Sequence, residues 1–148
     1  MGHLQTSRLI PAPPSAVFDY ITDLKTLPEQ LEPDFKIDSD VETPVLRERS
    51  EFGVSVTRFG VSTKILLCVT ELKPPERFTY RQISGFFRSW THTQTLQRHD
   101  PKTTLLTDIV DYHMRLGIFG ALADDLIVRR DLQNVLEDRL ARIEQHFA

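Results

Sequence analysis

The feature that most constrains this chain is a strict two-residue alternation from Phe87 to Arg98, answered after a polar break by a run from Thr104 to Met114. In the first run the even positions carry Trp90, His92, Gln94 and Leu96, and the odd ones carry Ser89, Thr91, Thr93, Thr95 and Gln97. Successive side chains of a strand point to opposite faces, so this pattern predicts a strand with two unlike faces. With His99, Asp100, Pro101, Lys102 and Thr103 as the turn, Arg98 pairs with Thr104 and Leu96 with Leu106. Gln94 then faces Asp108, His92 faces Val110 and Trp90 faces Tyr112. A one-residue slip would mix the bulky face with the threonine face, so the pattern fixes the parity of the pairing. The bulky face is the expected inner one, yet it carries four polar side chains: His92, Gln94, Asp108 and Tyr112. Each buried polar group left without a partner costs about 1–3 kcal/mol. Such a face therefore requires an internal network, trapped water or the polar end of a ligand.

A long helix is predicted beyond Gly117 and Gly120, ending near Phe147. Its expected inward seam is Leu122, Leu126, Arg129, Gln133, Leu136, Leu140, Ile143 and Phe147, spaced four and three in turn. Asp125 and Arg129, like Asp138 and Arg142, have the acid-first spacing that suits an ion pair on a helix. A helix of about 27 residues is roughly 40 Å long, and strands of about 11 residues are roughly 36 Å. The helix can therefore lie across the whole sheet. Arg129 and Gln133 interrupt the seam. Either Arg129 snorkels to the edge or pairs with Asp125, or it enters the gap between helix and sheet opposite Asp108 or a ligand acid.

Upstream, His3 to Ile10 reads as a first strand, stopped by Pro11, Pro13 and Pro14. Val17, Phe18, Ile21 and Leu24 recur at helical spacing after Pro14, and a second short helical turn covers Leu27 to Leu31 before Pro33. Lys36 to Asp40, Arg47 to Phe59, Val61 to Lys73 and Arg77 to Ile83 then read as strands. Phe59-Gly60 and Pro74-Pro75 punctuate them, and an antiparallel meander is expected. The 148 residues suit one domain. A net charge of −3 gives no electrostatic footprint for nucleic acid. The single Cys68 is expected to be a buried thiol in a reducing compartment. With no signal-peptide pattern and no apolar run of membrane-spanning length, the expectation is a cytoplasmic protein.

This order of elements is the helix-grip arrangement: an α+β fold with a curved antiparallel seven-stranded sheet, two short helices after the first strand, and a long C-terminal helix packed across the sheet. The chain resembles the SRPBCC superfamily of START-like and polyketide cyclase/dehydrase-like proteins over nearly its whole length. The resemblance rests on the stretch from Ile10-Pro11-Ala12-Pro13-Pro14 to Asp23, on Gly85-Phe86-Phe87 with Trp90-Thr91-His92, and on Asp108-Ile109-Val110-Asp111-Tyr112 running into Leu116-Gly117. It implies a hydrophobic or amphipathic small molecule, such as a lipid, quinone or polyketide, held between sheet and last helix. No cofactor, metal or nucleic-acid partner is expected.

The expected ligand-binding residues are Trp90, His92, Gln94, Asp108 and Tyr112 from the sheet, with Leu122, Leu126, Arg129 and Gln133 from the helix. An enzyme on the same face would use His92 as general acid or base, Asp108 to orient it, and Tyr112 or Arg129 to stabilise an oxyanion. The third reading is a protein-interaction module, for which Phe86-Phe87 and Ile118-Phe119 are candidate exposed groups; the same residues are also candidates to gate a cavity mouth.

Overall fold

The computed structural model of the chain describes residues 1–31, 33–37, 45–58, 60–115, 117 and 125–148. The elements follow in the order β1 (Gly2–Ile10), α1 (Pro14–Ile21), α2 (Leu27–Gln30), β2 (Phe35–Ile37), β3 (Glu51–Arg58), β4 (Val61–Lys73), β5 (Arg77–Ser84), β6 (Ser89–Asp100), β7 (Thr103–His113) and α3 (Asp125–Phe147). The strands form one seven-stranded sheet in the order β1-β7-β6-β5-β4-β3-β2. Each neighbour pairs antiparallel. The α1–α2 segment connects β1 at one edge to β2 at the other. Register shifts between β4 and β5 at Leu66/Leu67 and Val69/Glu71 are of the kind that bends a sheet. This is the helix-grip fold.

The central hairpin pairs Trp90 with Tyr112, His92 with Val110, Gln94 with Asp108 and Leu96 with Leu106, the register that the alternation predicts. The turn is tighter than the five residues assigned to it. The strands continue to Asp100 and resume at Thr103, leaving Pro101 and Lys102 outside them, and a bulge lies between Arg98 and Asp100. The Asp100 carboxylate accepts the Lys102 backbone N–H at 2.8 Å, the local bond by which aspartate stabilises a tight turn.

Other strand boundaries differ as well. β3 begins at Glu51 rather than Arg47, because Ser50 Oγ accepts the Arg47 N–H at 2.9 Å and Arg49 takes a positive φ of 68°, making a turn there. The Lys36 to Asp40 strand is described only as Phe35–Ile37, and positions 38–40 lie outside the described residues.

The main core brings Val17, Phe18 and Ile21 of α1 against Val69, Phe78, Leu96 and Leu106 of the sheet and Leu140 and Ile143 of α3. A second cluster joins Leu4, Phe87, Val110 and Tyr112 to Val128 and Leu136 of α3. α3 runs beside β1: Arg8 pairs with Glu144, and Arg129 Nη1 donates to the His3 carbonyl at 3.2 Å. Among the described residues no helix is long and apolar enough to cross a membrane.

Candidate functional site

Between the two core clusters the sheet and α3 stand apart, leaving a partly open cavity of about 190 Å³. Its walls include Phe52, Val54, Leu67 and Phe78 of the sheet, Leu24 before α2 and Leu27 at its start, and Val128, Leu132, Val135 and Leu136 of α3. Phe86, Phe87 and Trp90 also belong to the apolar lining. A dry cavity of about 150 Å³ takes up benzene, so the void admits a substituted ring without rearrangement.

Polar groups on the wall include Tyr80, His92, Gln94 and Arg139. Behind them lies Asp108, with no exposed surface. Arg139 Nη1 meets both Asp108 oxygens at 3.1 Å, and Nη2 donates to Gln94 Oε1 at 2.6 Å and to Gln30 Oε1 at 3.1 Å. Gln30 Nε2 in turn donates to the Tyr20 carbonyl and to Thr26 Oγ1, so the short α2 helix anchors one side of the guanidinium.

His92 Nε2 lies 3.0 Å from Asp108 Oδ1, and His92 Nδ1 bonds the Tyr80 hydroxyl. Burial alone would raise the Asp108 carboxyl. The Arg139 guanidinium and His92 outweigh it and hold the group below the ordinary carboxylate range. An ionised Asp108 only accepts, so His92 presents Nε2–H to it, and Nδ1 shares a hydrogen bond with the Tyr80 hydroxyl. Burial pushes the Tyr80 phenol well above its ordinary range, so it keeps its proton; Arg139 pulls the other way and Asp108 adds to the rise.

Two devices frame the cavity. Gln82 grips the Phe87 backbone from both sides: its Nε2 donates to Phe87 O at 2.8 Å, and its Oε1 accepts the Phe87 N–H at 3.3 Å. This holds Phe87 stacked on Trp90, with ring centroids 4.9 Å apart. Elsewhere Arg58 of β3 forks onto Asp131 of α3, with Nε 3.0 Å from Oδ2, and also reaches Asp34 at 3.0 Å. Arg58 and Asp131 both line the cavity, so this ion pair joins sheet to helix across it.

Of the residues expected from the sequence, Trp90, His92 and Gln94 line the cavity. Asp108 does not reach it and acts through Arg139 and His92. Tyr112 is buried in the second core cluster and donates its hydroxyl to Asp125 at 3.2 Å, away from the polar network. Leu122 lies outside the described residues, as do Ile118 and Phe119.

Leu126, Arg129 and Gln133 are corrected: none lines the cavity. Leu126 is 56% exposed, Arg129 reaches the His3 carbonyl, and Gln133 Nε2 bonds Glu137 at 2.9 Å. The expected seam stepped back three residues from Leu136 to Gln133. The apolar Leu132, four back, takes the inward place, followed by Val128. Asp125 is hydrogen-bonded to Tyr112 and Arg129 to His3, whereas Asp138 and Arg142 do pair, at 2.7 Å.

The guanidinium opposite Asp108 is thus Arg139 rather than Arg129. Its signal was present: Arg139 stands three residues after Leu136 and four before Ile143, on the helix face those residues bury. Gln30, Tyr80 and Gln82 carried no comparable sequence signal.

Comparison with known proteins bears on this geometry. The model of the family described as "Polyketide cyclase / dehydrase and lipid transport" matches residues 1–148. No protein of curated function matches the sequence. Among solved structures, a START superfamily protein from Mycobacterium smegmatis superposes with a TM-score of 0.76 at 16% identity, covering 98% of this chain and 96% of that one. A Thermus thermophilus protein gives a TM-score of 0.76 at 18% identity over 99% of this chain and 100% of its own. A conserved protein from Geobacillus kaustophilus gives 0.76 at 13% identity over 98% and 94%. At these identities the likeness is one of fold.

Proposed function

The chain belongs to the polyketide cyclase/dehydrase and lipid transport family, and from that premise we propose that it binds one hydrophobic or amphipathic small molecule between the sheet and α3. The observation that carries this reading is the void itself: about 190 Å³ of mostly apolar wall with Tyr80, His92, Gln94 and Arg139 also on its surface. Pockets for small molecules have this composition, apolar walls with a few placed polar groups. Trp90, His92 and Gln94 are assigned to ligand contact, with Phe87, Leu132, Leu136 and Arg139 joining them. Asp108 is assigned to holding Arg139 and His92. We place the protein in the cytoplasm, a reading supported by its sole cysteine, Cys68.

Binding is favoured over proton-transfer catalysis by the state of His92. A general base needs a lone pair aimed at its substrate, and both ring nitrogens of His92 are engaged, one by Asp108 and one by Tyr80.

The test is native mass spectrometry of the purified protein, followed by denaturing extraction of whatever it carries. A stoichiometric apolar molecule, displaced by a competing apolar probe with a change in Trp90 fluorescence, is the expected result. A protein that emerges empty and binds no apolar probe saturably overturns the reading.

A further inference from the structure

The donors and charges around the cavity also define the head group of its guest, an inference that rests on the binding reading above. Gln94 accepts from Arg139 through Oε1. A guanidinium only donates, so the carbonyl oxygen of Gln94 must face it and the NH₂ group must turn away. Gln30 faces the same guanidinium, and its own NH₂ donates to the Tyr20 carbonyl and Thr26. Gln94 differs. Among the described residues nothing accepts from its nitrogen, although the side chain is 98% buried (2% exposed) and lines the cavity. A donor in that position, not sealed off by protein, opens onto the void. Tyr80 supplies the complement, because a phenol oxygen bonded once, to His92 Nδ1, retains accepting capacity.

The cations on the wall are already cancelled: Arg139 is held by Asp108, and Arg58 by Asp131 and Asp34. The Asp23 carboxylate accepts the Lys25 backbone N–H, a neutral donor that cancels no charge. A carboxylate entering this cavity would lose its hydration and, among the described residues of the wall, meet no unneutralised guanidinium. An ammonium only donates, so it cannot accept from Gln94.

We infer that the cavity takes an uncharged ligand whose polar end is a carbonyl or hydroxyl oxygen, accepting a hydrogen bond from the Gln94 side-chain amide. Anionic amphiphiles of the same shape are excluded by charge rather than by size, and cationic ammonium head groups because they offer Gln94 no acceptor. A carbonyl uses the Gln94 donor alone; a hydroxyl uses Gln94 and also donates to the Tyr80 oxygen.

The experiment is an NMR titration that follows the indole N–H of Trp90, the only tryptophan in the chain. Four probes of nearly the same size are compared at pH 7: acetophenone, benzoate, 1-phenylethylamine and cumene. Acetophenone is expected to bind about tenfold or more tightly than benzoate, which buries an unpaired charge, and than the amine, which has no acceptor for the Gln94 donor. In Gln94→Leu, the ratio of the acetophenone Kd to the cumene Kd is expected to rise about five- to tenfold, the effect of one hydrogen bond. Benzoate or the amine equalling acetophenone on the native protein overturns the inference, and that comparison stands whether or not the variant folds. An unchanged acetophenone-to-cumene ratio in Gln94→Leu also overturns it. Cumene binding without discrimination among the polar probes removes this inference and leaves the binding reading standing, whereas failure of all four probes removes both.

Discussion

Replacing Arg139 by methionine tests the polar end of the cavity at its centre. The substitution leaves the Asp108 carboxylate fully buried, with His92 as its remaining side-chain partner, and deprives Gln94 and Gln30 of their shared donor. At about 4 Å between charge centres and an effective dielectric of about 20, the lost attraction is roughly 4 kcal/mol. That agrees with the ~3–5 kcal/mol seen when one partner of a buried pair is removed. At about 2–4 °C per kcal/mol for a domain near this size, Tm should fall by roughly 6–20 °C.

The pH dependence should also change sign. In the native protein Asp108 is held below its unfolded value, so its contribution is complete above about pH 4 and is lost as pH falls through the depressed value. In Arg139→Met burial dominates, and the folded carboxyl moves above its unfolded value. Protonation then relieves a buried charge, so the deficit against the native protein should shrink as pH drops from 7 towards 4. Urea unfolding followed by Trp90 fluorescence and circular dichroism at both pH values measures this. A deficit below about 1 kcal/mol at pH 7, or one that grows on acidification, would refute the reasoning.

The face that α3 turns inward is tested by pairing Leu136→Ala with Gln133→Ala: the first should cost about 2–5 kcal/mol and the second less than about 0.5 kcal/mol, by denaturant unfolding. All three tyrosines should titrate late. Tyr20 is pushed to about 12 by burial and by Glu29, and Tyr80 and Tyr112 are also raised, so native tyrosinate absorbance at pH 10 should fall well short of the urea-unfolded value. The stability these phenols contribute is whole below about pH 10, their unfolded value, and for Tyr20 is lost as pH rises through about 12. A Cβ added at Gly2 would stand 2.1 Å from the Tyr112 ring, so Gly2→Ala should displace that ring, seen as an earlier Tyr112 titration in the same absorbance experiment.

The hairpin was legible because its period of two puts Trp90, His92, Gln94 and Leu96 on one face and the turn residues then set the pairing, and the sheet delivers that register. The C-terminal half of α3 was legible for a similar reason: Leu136, Leu140 and Ile143 are buried as spaced. Its N-terminal half was not, because stepping back from Leu136 by three or by four gives equally regular helical patterns. Only the tertiary choice of Leu132 and Val128 over Gln133 and Arg129 separates them. Arg139 escaped because the charged run Glu137-Asp138-Arg139 looks like a solvated surface, although its spacing from Leu136 and Ile143 places it inside. Gln30 and Gln82 owe their roles to partners 109 and 5 residues away, Arg139 and the Phe87 backbone, and no local periodicity encodes such meetings.

The most direct measurement is a crystal structure of the protein with the molecule it carries, or with acetophenone soaked into it. The account requires density for a guest between Trp90 and Leu136, with an uncharged oxygen about 3 Å from Gln94 Nε2. Leu136 closed onto Trp90 with the void gone, or a guest seated elsewhere on the molecule, would contradict it.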